Sequence, residues 1–129
     1  MNNKFLLALF LALSGSHVMA EWVKIASNEK SVFYIDPAAS KKVADHVMVL
    51  IVRDHTSIQY DRAELYLSSK DEIEVDCSGR RIRRMYSSDH PQHMGNGKMV
   101  YSEHGPMSWN DASPKTIVKR IVDIACLFS

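Results

Sequence analysis

Residues 72–84 read EIEVDCSGRRIRR and constrain the chain more than any other stretch. Ser78-Gly79 is a turn signal between two runs that mix Ile and Val with charge. A two-residue loop there sets Cys77 opposite Arg80. It pairs Asp76 with Arg81, Val75 with Ile82, Glu74 with Arg83 and Ile73 with Arg84. Side chains alternate across a strand, so one face carries two opposite-charge pairs, Asp76–Arg81 and Glu74–Arg83. The other face carries Ile73, Val75, Cys77 and Ile82. The apolar face is the core face, so Cys77 points inward. Slipping the register by one residue would bury the charges, so the pattern enforces its own pairing. Ser-Gly is a weaker hairpin turn than Asn-Gly, which leaves a longer loop open.

The partner for Cys77 follows from compartment. Residues 1–20 read as a secretory signal peptide: Lys4, then an apolar run over residues 5–13, then Val18-Met19-Ala20 before a mature start at Glu21. The run is too short for a transmembrane helix, and no later run is long enough. With no Cys after the cleavage position, a lipoprotein anchor is not expected. The mature protein is therefore expected in the periplasm or at the cell surface. The chain has two cysteines, Cys77 and Cys126, and in an exported protein these suggest one disulfide. It would close a loop of about 50 residues, worth roughly 4 kcal/mol by chain entropy. Residues 21–129 suit a single domain. Without Lys4 the formal charge falls from +1 to zero, which argues against a general nucleic-acid or membrane-surface binder.

Residues 22–26 alternate as a strand, residues 28–30 form a turn, and residues 32–36 form a second strand ended by Pro37. Residues 38–45 read as a polar loop. Residues 47–52 are six apolar positions, mostly β-branched, and suggest a central strand. Residues 53–61 are ambiguous. Leu65 and Leu67 continue the parity of Ile73, so a long strand over 64–77 is expected, with 80–86 as its partner. Residues 87–98 read as a loop, 99–102 as a short strand and 104–113 as a loop holding Trp109. Ser113 suits a helix N-cap and Pro114 the first helical position. Ile117, Val118, Ile121, Val122, Ile124 and Ala125 then make one apolar face, with Cys126 at the helix end. One helix covers one sheet face. Since 47–52 is apolar on both, a second copy covering the other face, a homodimer, is the simplest expectation.

These pieces together resemble the surface-adhesin protein E family of small exported bacterial proteins. The matching elements are Trp22, Tyr34-x-Asp36, Ser69-Lys70, Asp76-Cys77, Arg81-x-Arg83, Met94-Gly95-x-Gly97, Trp109, Pro114 and Cys126. The resemblance implies an α+β fold: an antiparallel sheet of about six strands with one C-terminal helix on one face, held by a single disulfide. One departure is the central strand, where family members often carry Trp and this chain has Leu50 and Ile51. The family's characterised activity is binding of host matrix proteins, and haem binding is also known. The resemblance therefore implies a protein partner, from host matrix or envelope. It brings no binding residue, because such segments carry no local motif.

Among candidate ligand residues, Arg81 and Arg83, with Arg80 and Arg84, could recognise phosphate or sulfated sugar. The plainer alternative is a charge-balanced sheet face. His90-x-x-His93, with Asp89 and Met94, could hold a metal or haem iron. Pro91 argues instead for a simple loop. Gly95-Asn96-Gly97 could cradle an anion, but no helix start follows it, and a turn is the better reading. Trp22 and Trp109 could stack on a ligand, but core or sheet-edge packing is the better reading. No nucleophile motif, Walker loop or dinucleotide fingerprint is present. The reading is an exported binding protein, not an enzyme, with no cofactor. The alternative is a periplasmic haem- or metal-ligand module.

Overall fold

The computed structural model describes residues 21–62 and 64–128. The expected signal peptide lies outside the described residues. Eight strands form one antiparallel sheet: β1 (Val23–Ser27), β2 (Ser31–Ile35), β3 (Lys41–Val43), β4 (His46–Asp61), β5 (Glu64–Asp76), β6 (Arg81–His90), β7 (Tyr101–His104) and β8 (Asn110–Asp111). Six follow the path β1-β2-β4-β5-β6-β7, while short β3 and β8 pair with the flanks of β4 and β6. The sheet thus has eight strands rather than about six, because two polar loops each contribute a short pairing. One helix among the described residues, α1 (Ile117–Ala125), follows.

Alternation dictates the β5–β6 pairing. Asp76 faces Arg81, Val75 faces Ile82, Glu74 faces Arg83 and Ile73 faces Arg84, as the pattern requires. The turn spans residues 77–80 rather than two residues. Arg80 takes the left-handed backbone at φ 54°, and the Gly79 N–H donates to Asp76 Oδ1 at 2.9 Å. A Cβ on Gly79 would press on the Asp76 carboxylate and displace it from Arg81.

The buried cluster joins Ile25, Ile35, Val47, Val49, Ile51, Ile73, Val75 and Ile82 to Ile121, Val122 and Ala125 of α1. Each such Val or Ile is worth roughly 1.5–3 kcal/mol on full burial. Cys77 is tied to Cys126, the α1 C-cap, with Cα atoms 5.9 Å apart. The helix begins three residues later than Ser113 suggests. Lys115 adopts φ 62° and breaks any helical path from Pro114. The N-cap is Thr116, whose hydroxyl accepts from the Lys119 N–H and donates to the Ser113 carbonyl.

Two further segments differ from expectation. The ambiguous residues 53–61 complete the 16-residue β4. Residues 87–90 belong to β6, not to a loop, and the loop starts at Pro91. Met85 is the extra residue of a bulge: Ile73 pairs with Arg84 but Glu72 pairs with Tyr86. The bulge resets parity, so Ser87 and Asp89 share a face with Ile82.

Candidate functional site

On the sheet face opposite α1, the hairpin charges are not a simple solvated ladder. Arg83 Nε donates to Glu74 Oε1 at 2.7 Å, and Arg81 Nε to Asp76 Oδ2 at 2.9 Å. His46, opposite Asp76 on β4, donates through Nδ1 to Glu74 Oε2 at 2.6 Å. Trp109, delivered just before β8, lies across both arginines. Its ring is 4.2 Å from the Arg81 guanidinium carbon and 4.4 Å from that of Arg83. The His46 ring meets the indole edge-on. The cross-strand pairs are therefore half-buried under an indole rather than exposed. Such stacking leaves the outward guanidinium and indole edges at the surface.

This platform has its own electrostatics. The Gly79 N–H, with Arg81, holds the Asp76 carboxyl below its ordinary range. Burial alone would raise Glu74, but the hydrogen bonds from His46 and Arg83 outweigh it and Glu74 is lowered. Both carboxylates stay ionised to low pH.

Beside the platform lies a hollow of about 340 Å³, floored by Leu50, Lys70, Glu72 and Tyr86 and walled by Ser88, His90 and Met99. Its wall includes the loop of residues 91–100. In that loop Gly95 at φ 71° and Gly97 at φ 88° take the left-handed backbone. Side chains on Gly95 and Gly97 would press on Lys70 and Pro91.

The two histidines of the spaced pair do not come together. His90 is buried in β6. Its Nδ1 donates to the Gly97 carbonyl at 2.9 Å, and Ser88 Oγ lies 2.8 Å from Nε2, so both ring nitrogens have protein partners. His93 is exposed and bonds Asp54 Oδ1 at 2.9 Å. The Met94 N–H meets the same oxygen. Among the described residues, no group of three or more His, Cys, Asp or Glu is arranged to hold a metal ion. Arg81 and Arg83, by contrast, do share one site.

The face that α1 packs against carries a second polar assembly beyond the end of the apolar core, and sequence reasoning missed it. Asp71 is 1% exposed and takes Arg53 in a two-pronged pair, with Ser87 donating to Oδ1 at 2.7 Å. Next to it, Ser69 donates its only hydroxyl hydrogen to Asp89 at 2.7 Å. Ser69 must then accept from His55 Nε2 at 3.1 Å, and Ser31 donates to His55 Nδ1 at 2.8 Å. Burial, aided by the Arg53 charge, lowers the His55 pKa below the ordinary 6.5. The available signal was polar residues at core parity on β4, β5 and β6.

The surface-adhesin protein E family profile matches residues 22–127. No curated protein matches the chain. Among solved structures, the crystal form II structure of Haemophilus influenzae protein E superposes with a TM-score of 0.67. Identity is 14%, over 87% of this chain and 91% of that one. A structure of protein E from non-typeable Haemophilus influenzae superposes with a TM-score of 0.65 at 14% identity, over 87% and 79%. At that identity the likeness speaks to fold. The family profile spans the sheet, the platform and the disulfide-tied helix, and the chain belongs to the surface-adhesin protein E family.

Proposed function

We propose that the protein is an exported, non-catalytic binding protein, a single domain over residues 21–129 that acts in the periplasm or at the cell surface. Its partner is a protein, from host matrix or envelope, and it docks on the sheet face opposite α1. The observation that carries this reading is the stack of Trp109 on Arg81 and Arg83. Trp and Arg dominate the energetics of protein interfaces when clustered centrally. Here they are clustered, oriented by Glu74, Asp76 and His46, and set beside a hollow a partner side chain can fill. Family membership supports adhesion as the role. The carboxylates neutralise the arginines, so a polyanion is a poorer fit than a polypeptide surface of mixed charge.

Self-association belongs to the same reading. Val43, Met48, Leu50 and Met99 place apolar surface on this face, with Val43 and Met99 about half exposed.

The test is affinity capture with residues 21–129 against envelope and host-matrix fractions, run beside Trp109→Ala. Capture should weaken by roughly tenfold in the variant. Full capture by Trp109→Ala moves the site elsewhere, and the absence of any saturable partner sinks the reading.

A further inference from the structure

Of the residues that line the hollow beside the platform, only Leu50 and Met99 carry no charge, hydroxyl or imidazole. The apolar character of the hollow therefore rests heavily on one thioether. Met99 also stands apart from the other methionines of residues 21–129. Met48, Met85, Met94 and Met107 are half-buried, while Met99 is 49% exposed. Oxidation of methionine follows access to the sulfur. A chain with a disulfide belongs to an oxidising compartment, where a thioether also meets oxidants.

The sulfur is held in place as well as exposed. The Tyr86 hydroxyl donates to Met99 Sδ at 3.4 Å. Tyr86 is itself fixed on β6 opposite Glu72, with its ring edge-on to His104 at 4.8 Å between centres. A thioether is a weak acceptor, so this bond adds little to the reduced protein. A sulfoxide oxygen is polar and accepts far better. The same hydroxyl would then hold the oxidised side chain in the wall instead of letting it swing into water.

We propose that Met99 is a site of reversible oxidation by a peroxide, and that Tyr86 keeps the sulfoxide facing the hollow, which then rejects an apolar side chain. The sulfur attacks one peroxide oxygen, the O–O bond breaks, an S–O bond forms and water leaves. Sulfur is oxidised by two electrons and the peroxide is reduced. The inference rests on the reading of the hollow as a place where a partner docks, and it supplies that site with a control. An apolar group pressed on the sulfoxide would meet a polar oxygen where it had met a soft, adaptable one.

The test treats residues 21–129 with hydrogen peroxide and maps the product by peptide mass spectrometry. Met99 should gain oxygen several-fold faster than any other methionine. The Leu50 methyl resonances should move on oxidation. In Tyr86→Phe, Met99 should oxidise as before but the Leu50 shift should collapse. Partner capture should weaken about tenfold after peroxide, the cost of one polar group set against an apolar one. Methionine sulfoxide reductase should restore it. In Met99→Leu, capture should be the same before and after peroxide, whatever its starting value. Another methionine reacting first overturns the site. A Leu50 shift that survives in Tyr86→Phe overturns the role of Tyr86. Capture weakened by peroxide in Met99→Leu places the sensitive group elsewhere and overturns the control. If residues 21–129 capture nothing, the docking reading falls, while the mass spectra and the Leu50 shift still decide the oxidation site.

Discussion

Arg53 holds Asp71 through two parallel bonds, Nε to Oδ2 at 2.6 Å and Nη2 to Oδ1 at 3.0 Å, across neighbouring strands. The carboxylate is fully buried, so its removal strands two arginines rather than deleting one contact. Asp71→Asn is expected to destabilise by about 3 kcal/mol. The double replacement Arg53→Met, Asp71→Leu should cost much less, because no buried charge is left alone. Urea midpoints with unchanged slopes measure both. Equal losses in the two proteins would mean the pair is solvated.

His55 makes stability depend on pH. Its folded pKa lies below the ordinary 6.5, so the unfolded chain binds the proton more readily. The contribution is full above that value and declines as pH falls through it. Unfolding followed from about pH 7.5 to 5 should show falling stability, and His55→Gln should flatten that slope. Glu74 and Asp76, with lowered pKa values, act lower. Their contribution is present above the ordinary carboxylate range and is lost as pH falls through their folded values.

Glu74 and Arg83 form one corner of the platform. A double-mutant cycle on the pair should give about 1 kcal/mol, the upper end for cross-strand ion pairs. The structural reason is that His46 fixes the carboxylate and Trp109 shields the guanidinium. Repeating the cycle in Trp109→Ala should halve the coupling and raise its salt sensitivity. An unchanged coupling there would show that the indole contributes nothing.

Self-association is testable at Leu50. Met48 and Leu50 point away from the buried cluster that holds Val47, Val49 and Ile51. Leu50→Glu should convert residues 21–129 to monomer in light scattering at ~50 µM, with little change in unfolding midpoint. A monomeric unsubstituted protein at that concentration would end the idea.

The hairpin and helix face were legible because each obeys a single period. Ile73, Val75 and Ile82 alternate, and Ile121, Val122 and Ala125 recur at helical spacing. The β6 extension was not, because the Met85 bulge shifts parity and Ser87 and Asp89 bury polar groups instead of apolar ones. A loop reading of residues 87–98 treats His90 as an exposed ligand, yet the ring is a buried strut between Ser88 and Gly97. Its replacement by Ala should cost more than about 1 kcal/mol, whereas His93→Ala should stay within about 0.5. The N-cap was misplaced because Ser113 and Thr116 both suit the position. Only the left-handed Lys115 decides between them. Arg81 and Arg83 could be picked out of the sequence as candidates. Trp109 could not be joined to them, since no local pattern says where a residue so far along the chain will land.

The bond between Cys77 and Cys126 also decides how the molecule bears tension. A pull on the C-terminus passes from Cys126 directly to Cys77 at the end of β5, in the middle of the sheet, and bypasses α1 and β6 through β8. The 49 residues of sequence separation, roughly 160 Å of extended chain at ~3.3 Å per residue, cannot pay out under load. Stretched from that end in an optical trap, the oxidised protein should show a release shorter by about that length than the reduced one.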